Sequence, residues 1–228
     1  QWPMAMQEQA GAWTKAFDDG AFVRKNSEFR DVISDDGPFL PESGRYHLYV
    51  SHACPWAHRT VLARNLLGLE HHVSVDVVDW RMNDDGSWSF NPEEPGATVD
   101  SVNGEDHLEA VYRRAHGSWT DEGNIGTVPV LWDKKTGTIV NNESRDIIRM
   151  FGTLARGVGS ASTLCPEGLT AAIDAMITAN YETVNNGVYK SGFARNQSAY
   201  EEAVSGLFNR LDELDEHLAD RDWLVGEG

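Results

Sequence analysis

Apolar and polar positions change period twice along this chain. The stretch "RYHLYV" (45–50) alternates and is rich in β-forming residues, so it reads as a strand. From Trp56 the apolar residues Leu62, Ala63, Leu66, Leu67 and Leu69 recur at helical spacing, and Gly68 marks the stop. "HVSVDVVDW" (72–80) is a second strand. Residues 81–120 are a polar insert with Pro, Gly and Asp, predicted as loop plus a short helix near 106–115. "TVPVLWD" (127–133) and "GTIVNN" (137–142) form a hairpin around "KKTG", and "ESRDIIRMF" (143–151) opens a helix. The order β-α-β-(insert)-β-β-α is that of an α/β thioredoxin-like domain.

After a Gly-rich link, "TLARGVGSAST" (153–163), the period becomes helical only. Leu169, Ile173, Met176, Ile177, Asn180, Tyr181 and Val184 share one face, with Pro166 suited to the first turn. A second helix carries Tyr200, Val204, Leu207, Phe208, Leu211, Leu214 and Leu218. We therefore expect an arm over 1–40 whose aromatics (Trp2, Trp13, Phe17, Phe22, Phe29) dock on the body. A thioredoxin-like domain over 41–152 follows, then the start of an all-α C-terminal domain over 164–228, cut short at "DWLVGEG".

Composition narrows the class. No apolar run approaches the roughly 20 residues that span a bilayer, so no membrane role is expected. The opening "QWPMAMQEQA" lacks a basic segment followed by an apolar core, so no signal peptide is read there. The two cysteines, Cys54 and Cys165, are too few for a disulfide framework, which suits a reducing cytoplasm. The net charge of −17 leaves nothing to offset phosphate repulsion, so nucleic acid is excluded as a main partner. The cations are 14 Arg against 5 Lys. Acid excess with few lysines reads as adaptation to high salt, which screens self-repulsion; an ordinary acidic cytosolic protein is the alternative.

Cys54, in "SHACPWAHRT" (51–60), sits where a strand turns into a helix. Unpaired N–H groups and the helix dipole there stabilise an anion, so the thiol pKa should fall, and His52, His58 and Arg59 add positive potential. The second position of a dithiol motif is Ala57, so a mixed disulfide on Cys54 must be resolved by an external thiol. The competing reading is a buried, inert cysteine. Cys165 has no such setting and reads as structural. Val128-Pro129 opens the third strand, where a thioredoxin-like proline is cis and presents the preceding backbone to a peptide-like ligand; an ordinary edge-strand proline is the alternative.

Glu143 and Ser144 open a helix directly after a strand, a ready site for a carboxylate, with Glu143 able to pair an amino group. A γ-glutamyl moiety offers both groups, while plain helix capping explains the same residues. Asn142-Glu143-Ser144 also matches a glycosylation sequon, which a cytosolic protein would not use. In "NNGVYKSGFA" (185–194) two Asn and a Gly end the first long helix, so Tyr189 and Lys190 emerge at a bend. Tyr189 is either a donor to a phenolic oxygen or a packing residue.

Together, "CPWAHR", "TVPVLWDKKTGTIVNNES", "IIRMF" and "NNGVYKSGFA" resemble the glutathionyl-hydroquinone reductases, or Xi-class glutathione transferases, from about residue 40 to 228. The resemblance implies a thioredoxin-like domain, a glutathione-transferase-type helical domain, a homodimer, no metal, and a thiol co-substrate. It also implies that Cys54 attacks the sulfur of a glutathionyl-hydroquinone and that a second glutathione releases the oxidised dimer. On this resemblance Val128, Pro129, Glu143 and Ser144 hold the γ-glutamyl thiol, Trp88 lies near the thiol site, and Tyr189 helps bind the aromatic part.

Two departures stand out. The family carries a basic residue shortly before "TVPV", suited to a ligand carboxylate, where this chain has Asn124, Ile125 and Gly126. Together with the charge balance of a salt-adapted archaeon, this points to γ-glutamylcysteine, which lacks the glycine of glutathione. Family chains also continue for about ninety residues more, within the usual domain size. Competing functions are a general omega-like monothiol deglutathionylase or dehydroascorbate reductase, and a non-catalytic thiol-binding protein. Conjugating transferases activate the ligand thiol with Ser or Tyr, which sets them apart from an attacking cysteine.

Overall fold

The computed structural model describes residues 17–83, 86–119, 124–160 and 163–227; Trp2 and Trp13 of the expected arm lie outside these. In chain order the elements are β1 (Phe17–Asp18), β2 (Ala21–Phe22), β3 (Tyr46–Ser51), α1 (Pro55–Leu66), β4 (Val73–Val78), α2 (Leu108–Ala115), β5 (Val130–Asp133), β6 (Thr138–Asn141), α3 (Ser144–Gly157), α4 (Thr170–Asn180), a π-helical turn (Tyr181–Asn185), α5 (Gly187–Phe193) and α6 (Gln197–Leu218). The described residues gather into two compact units, one within 27–164 and one combining 17–26 with 165–227.

In the first unit the sheet order is β4-β3-β5-β6, with β3 and β4 parallel and the other neighbours antiparallel. This is the thioredoxin-like arrangement. Every residue of β3 is buried, as expected of a central strand covered on both faces. Tyr46, Leu48 and Val50 share a core with Ala57 and Ala63 of α1 and with Ile147, Met150, Phe151 and Leu154 of α3. The polar side chains of β3 are partnered: His47 Nδ1 meets Ser74 Oγ at 2.7 Å, and Tyr49 donates to Asp100 at 2.8 Å. At the hairpin, Arg45 forks onto both oxygens of Asp133, at 2.8 and 2.6 Å, with both side chains buried.

The arm residues divide. Residues 27–30 pair with the edge of β6: Asn142 N donates to Phe29 O at 3.1 Å, and Arg30 bridges Asn141. The Phe29 ring packs on Tyr112 and Trp119. Phe17 and Phe22 instead face each other across the β1-β2 hairpin of the second unit.

Three local expectations are corrected. The link predicted over 153–163 begins later, because α3 runs to Gly157: Leu154 and Ala155 are fully buried and extend its apolar face. Pro166 does not sit in a first helical turn. Gly168 adopts φ +87°, a left-handed conformation that breaks the helix there, and α4 starts at Thr170 with Leu169 as its N-cap. The Asn185-Asn186-Gly187 run does not end the helical path. A π turn absorbs the extra residue, Asn186 keeps helical angles, and Tyr189 lies inside α5 instead of at a bend.

Candidate active site

Cys54 is the N-cap of α1, in extended conformation, with Pro55 supplying a preset first helical residue. No acidic side chain occupies the first turn of α1, so the positive end of the helix faces the thiol undiminished. The Cys54 thiol donates to the carbonyl of Val128 at 3.5 Å, and the Val128–Pro129 peptide is cis. The fold thus brings Cys54 and Val128 together as the sequence predicted. Ala57, the position of an absent second thiol, is fully buried. His52 and His58 are exposed. Cys165 belongs to the helical unit, 3.3 Å from Thr170 Oγ1.

At the start of α3, Glu143 caps the helix by accepting from Arg145 N at 3.1 Å. Its own N–H donates to Asn141 Oδ1 at 2.7 Å, and Ser27 Oγ donates to its second oxygen at 3.2 Å. Ser144 is the first helical residue and is buried. Arg59 reaches across from α1 and donates to Ser144 Oγ twice, from Nε at 3.0 Å and Nη2 at 2.6 Å. The same Nη2 lies 3.6 Å from Glu143 Oε1, and the guanidinium stacks over Trp56 at 4.8 Å. The helix bearing the thiol and the helix bearing Glu143 and Ser144 are therefore tied by one arginine.

Sequence reading missed Tyr112. Its hydroxyl donates to Thr127 O at 2.9 Å and accepts from Asn142 Nδ2 at 3.1 Å. One buried phenol thus anchors the residue before Val128 and the residue before Glu143. Burial pushes its pKa up, keeping it a neutral donor. The available signal was its place beside Leu108 and Val111 on the apolar face of the short helix predicted in the insert. Gly126 is buried against the same helix: a Cβ there would meet Glu109 Oε1 at 3.1 Å and Tyr112 at 3.2 Å. The missing basic residue before "TVPV" therefore coincides with a close approach of the loop to α2.

Trp88 lies on the loop between β4 and α2, half-buried against the core that also holds Cys54. Its carbonyl accepts from Leu108 N at 2.9 Å, and its N–H donates to Glu109 at 3.3 Å. Tyr189 belongs to the helical unit. There its ring packs against Phe22 and Phe193, with the Arg24 guanidinium 4.4 Å over one face. Arg24 is fixed in turn by Asn186 Oδ1 at 2.7 Å.

A family model described as glutathione S-transferase, N-terminal domain, matches residues 53–154. The glutathionyl-hydroquinone reductase PcpF of Sphingobium chlorophenolicum is 45% identical over 223 residues, covering 95% of this chain and 69% of that protein. This chain belongs to the glutathionyl-hydroquinone reductase family, the Xi-class glutathione transferases. The crystal structure of the Xi transferase from Phanerochaete chrysosporium superposes on this Xi-class chain with a TM-score of 0.88 at 48% identity, covering 93% and 68% of the two chains. The reductase YqjG of Escherichia coli K-12, solved with glutathione bound, is 44% identical, with a TM-score of 0.81 over 87% of this chain and 66% of that one. This Xi-class chain spans about two-thirds of the length of these relatives.

Proposed function

We propose that this chain is a thiol-dependent reductase of glutathionyl- or γ-glutamylcysteinyl-hydroquinones. The observation that carries the reading is the Cys54 thiol within 3.5 Å of the Val128 carbonyl, at a helix N-terminus whose second-thiol position is alanine. The Cys54 thiolate attacks the sulfur of the thioether. A sulfur–sulfur bond forms, the carbon–sulfur bond breaks, and its electron pair leaves with the aromatic carbon, which takes a proton to give the hydroquinone. A second thiolate attacks the mixed disulfide, releases the oxidised thiol dimer and restores Cys54.

In this reading the Val128 backbone pairs with the ligand cysteine, Pro129 fixes that backbone, and Glu143 and Ser144 hold the γ-glutamyl amino and carboxylate groups. Trp88 lines the thiol site, and Tyr189 donates to a phenolic oxygen. The reaction needs a low-molecular-weight thiol and no metal. The absence of a basic residue at 124–126 favours γ-glutamylcysteine, which has no glycine carboxylate to neutralise. The charge balance supports adaptation to high salt, as in a salt-adapted archaeon; the two cysteines suit a cytoplasm, and the family resemblance supports a homodimer. Among the described residues no helix is long and apolar enough to cross a membrane.

The test is a single-turnover reaction with each conjugate, read by intact protein mass. The expected result is a thiol adduct on Cys54 with hydroquinone released, formed faster from the γ-glutamylcysteinyl conjugate. A clear preference for the glutathionyl conjugate would sink the γ-glutamylcysteine assignment. An adduct from oxidised γ-glutamylcysteine but from neither conjugate would replace the proposal with a general deglutathionylase. No adduct at all would reduce it to thiol binding.

A further inference from the structure

Arg59 is only partly buried, yet it spends two N–H groups on one hydroxyl, that of Ser144. A hydroxyl accepting two bonds from a cation has its own proton turned away from that cation. Ser144 is thereby left as a donor, at a helix N-terminus where backbone N–H groups also point outward. That proton is given to Glu143 Oε1 in a long bond of 3.5 Å, and the Arg59 charge sits 3.6 Å from that same oxygen. The guanidinium draws on that oxygen too, which leaves the Ser144 bond long and ready to pass to an incoming carboxylate; without it, Glu143 would hold the proton more tightly and repel the carboxylate. The arginine lies one turn and a residue after Cys54 on α1, so the contact also fixes the span from thiol to Ser144.

We infer that Arg59 is a positioning residue for ligand selection: it holds the Ser144 hydroxyl for the free α-carboxylate of the ligand's γ-glutamyl end and offsets the Glu143 charge beside it. The inference rests on the γ-glutamyl site proposed above, and it assigns to Arg59 a role separate from activating the thiol. Charge-assisted bonds of this kind set the expected size at about 10- to 100-fold in rate.

The test uses disulfide exchange, in which the Cys54 thiolate attacks one sulfur, forms the mixed disulfide and expels the other half as thiolate. Two substrates are compared, oxidised γ-glutamylcysteine and bis(2-hydroxyethyl) disulfide, which has no charged groups. Arg59→Met should slow adduct formation with the first by about 10- to 100-fold and with the second by less than about threefold. Arg59→Lys, which keeps the charge but not the fork, should fall between wild type and Arg59→Met. In Ser144→Ala, adding Arg59→Met should cost less than the product of the two single effects.

Equal slowing with both disulfides would mean that Arg59 acts on the thiol, and the inference fails. Full retention of the γ-glutamyl preference in Arg59→Met also overturns it, with the site reading intact. A wild-type protein with no preference between the disulfides removes the site reading and this inference together. Matching unfolding midpoints for Arg59→Lys and wild type keep a folding defect from imitating the expected result.

Discussion

The thiol of Cys54 and the carbonyl of Val128 are one hydrogen bond apart, at 3.5 Å, across the cis Val128–Pro129 peptide. A nucleophile in that place should react through one sulfur only. Cys54→Ser is expected to form no thiol adduct with either conjugate, read by intact mass. Ala57→Cys places a second thiol one turn along α1 and should divert the mixed disulfide into an internal one. Its sign is the loss of two hydrogens by mass, with falling turnover of conjugate. Accumulation of the ordinary adduct on Ala57→Cys would show that the neighbouring position cannot resolve it.

Tyr112→Phe removes the hydroxyl shared by Thr127 and Asn142 while keeping the ring stacked on Trp119. Leaving these buried groups unpartnered should cost about 1–3 kcal/mol, measured from denaturant midpoints. Because the phenol holds both halves of the candidate site, the Michaelis constant for the thiol should rise with it. Unchanged thiol affinity in a destabilised protein would limit Tyr112 to the core.

Asp133 is buried, which pushes its carboxyl up, but bonds from Arg45, Thr136 and the Lys135 amide outweigh burial and bring it below the usual carboxylate range. A carboxyl depressed on folding contributes stability that is fully present above its unfolded value near pH 4 and is lost as pH falls through the lower folded value. Asp76, buried but bonded by His47 and Ser101, shifts the same way. The unfolding midpoint should therefore drop steeply below about pH 4. Asp133→Asn should flatten part of that slope and cost about 3–5 kcal/mol at neutral pH, since Arg45 loses its counter-charge in a buried place.

Gly157 ends α3 against Pro41: a Cβ there would lie 2.7 Å from Pro41 Cβ and 2.9 Å from its carbonyl oxygen. Alanine is the better helix former, yet Gly157→Ala should destabilise by about 1–3 kcal/mol through overpacking. Thermal unfolding decides the sign. A rise in midpoint would mean that the Pro41 segment yields easily.

With a net charge of −17, self-repulsion should weaken the fold at low ionic strength. Raising potassium chloride from about 0.1 M to 1 M shortens the screening length from about 10 Å to 3 Å and should raise the unfolding midpoint. A midpoint indifferent to salt would argue against salt adaptation.

Most of the first unit was legible because its signals are local. β3 reads as a strand from its alternation and β-forming residues, and Cys54-Pro55 and Glu143-Ser144 mark helix starts through the chemistry of their own termini. What escaped depends on distant partners. The reach of Arg59 to Ser144 spans two helices, and the anchoring by Tyr112 joins an insert to two strand ends. The π turn at Tyr181–Asn185 inserts one residue within a single turn, and one shift over so short a stretch is not resolved by a pattern of apolar positions. The late end of α3 was hidden because Gly157 looks like linker until its contact with Pro41 is known.

Asn142 gives the sequon at 142–144 a meaning of its own. Its amide nitrogen is committed to Tyr112 and its amide oxygen to the Phe29 N–H, at 3.1 and 3.2 Å, and the side chain is buried. A sugar can be attached only before those contacts close, and once attached it would keep them from closing. In a host that routes the chain through a glycosylating compartment, modification and folding would compete for the same nitrogen. The faster-folding fraction would emerge bare, and the glycosylated remainder would lack the strand-edge pairing that holds Phe29.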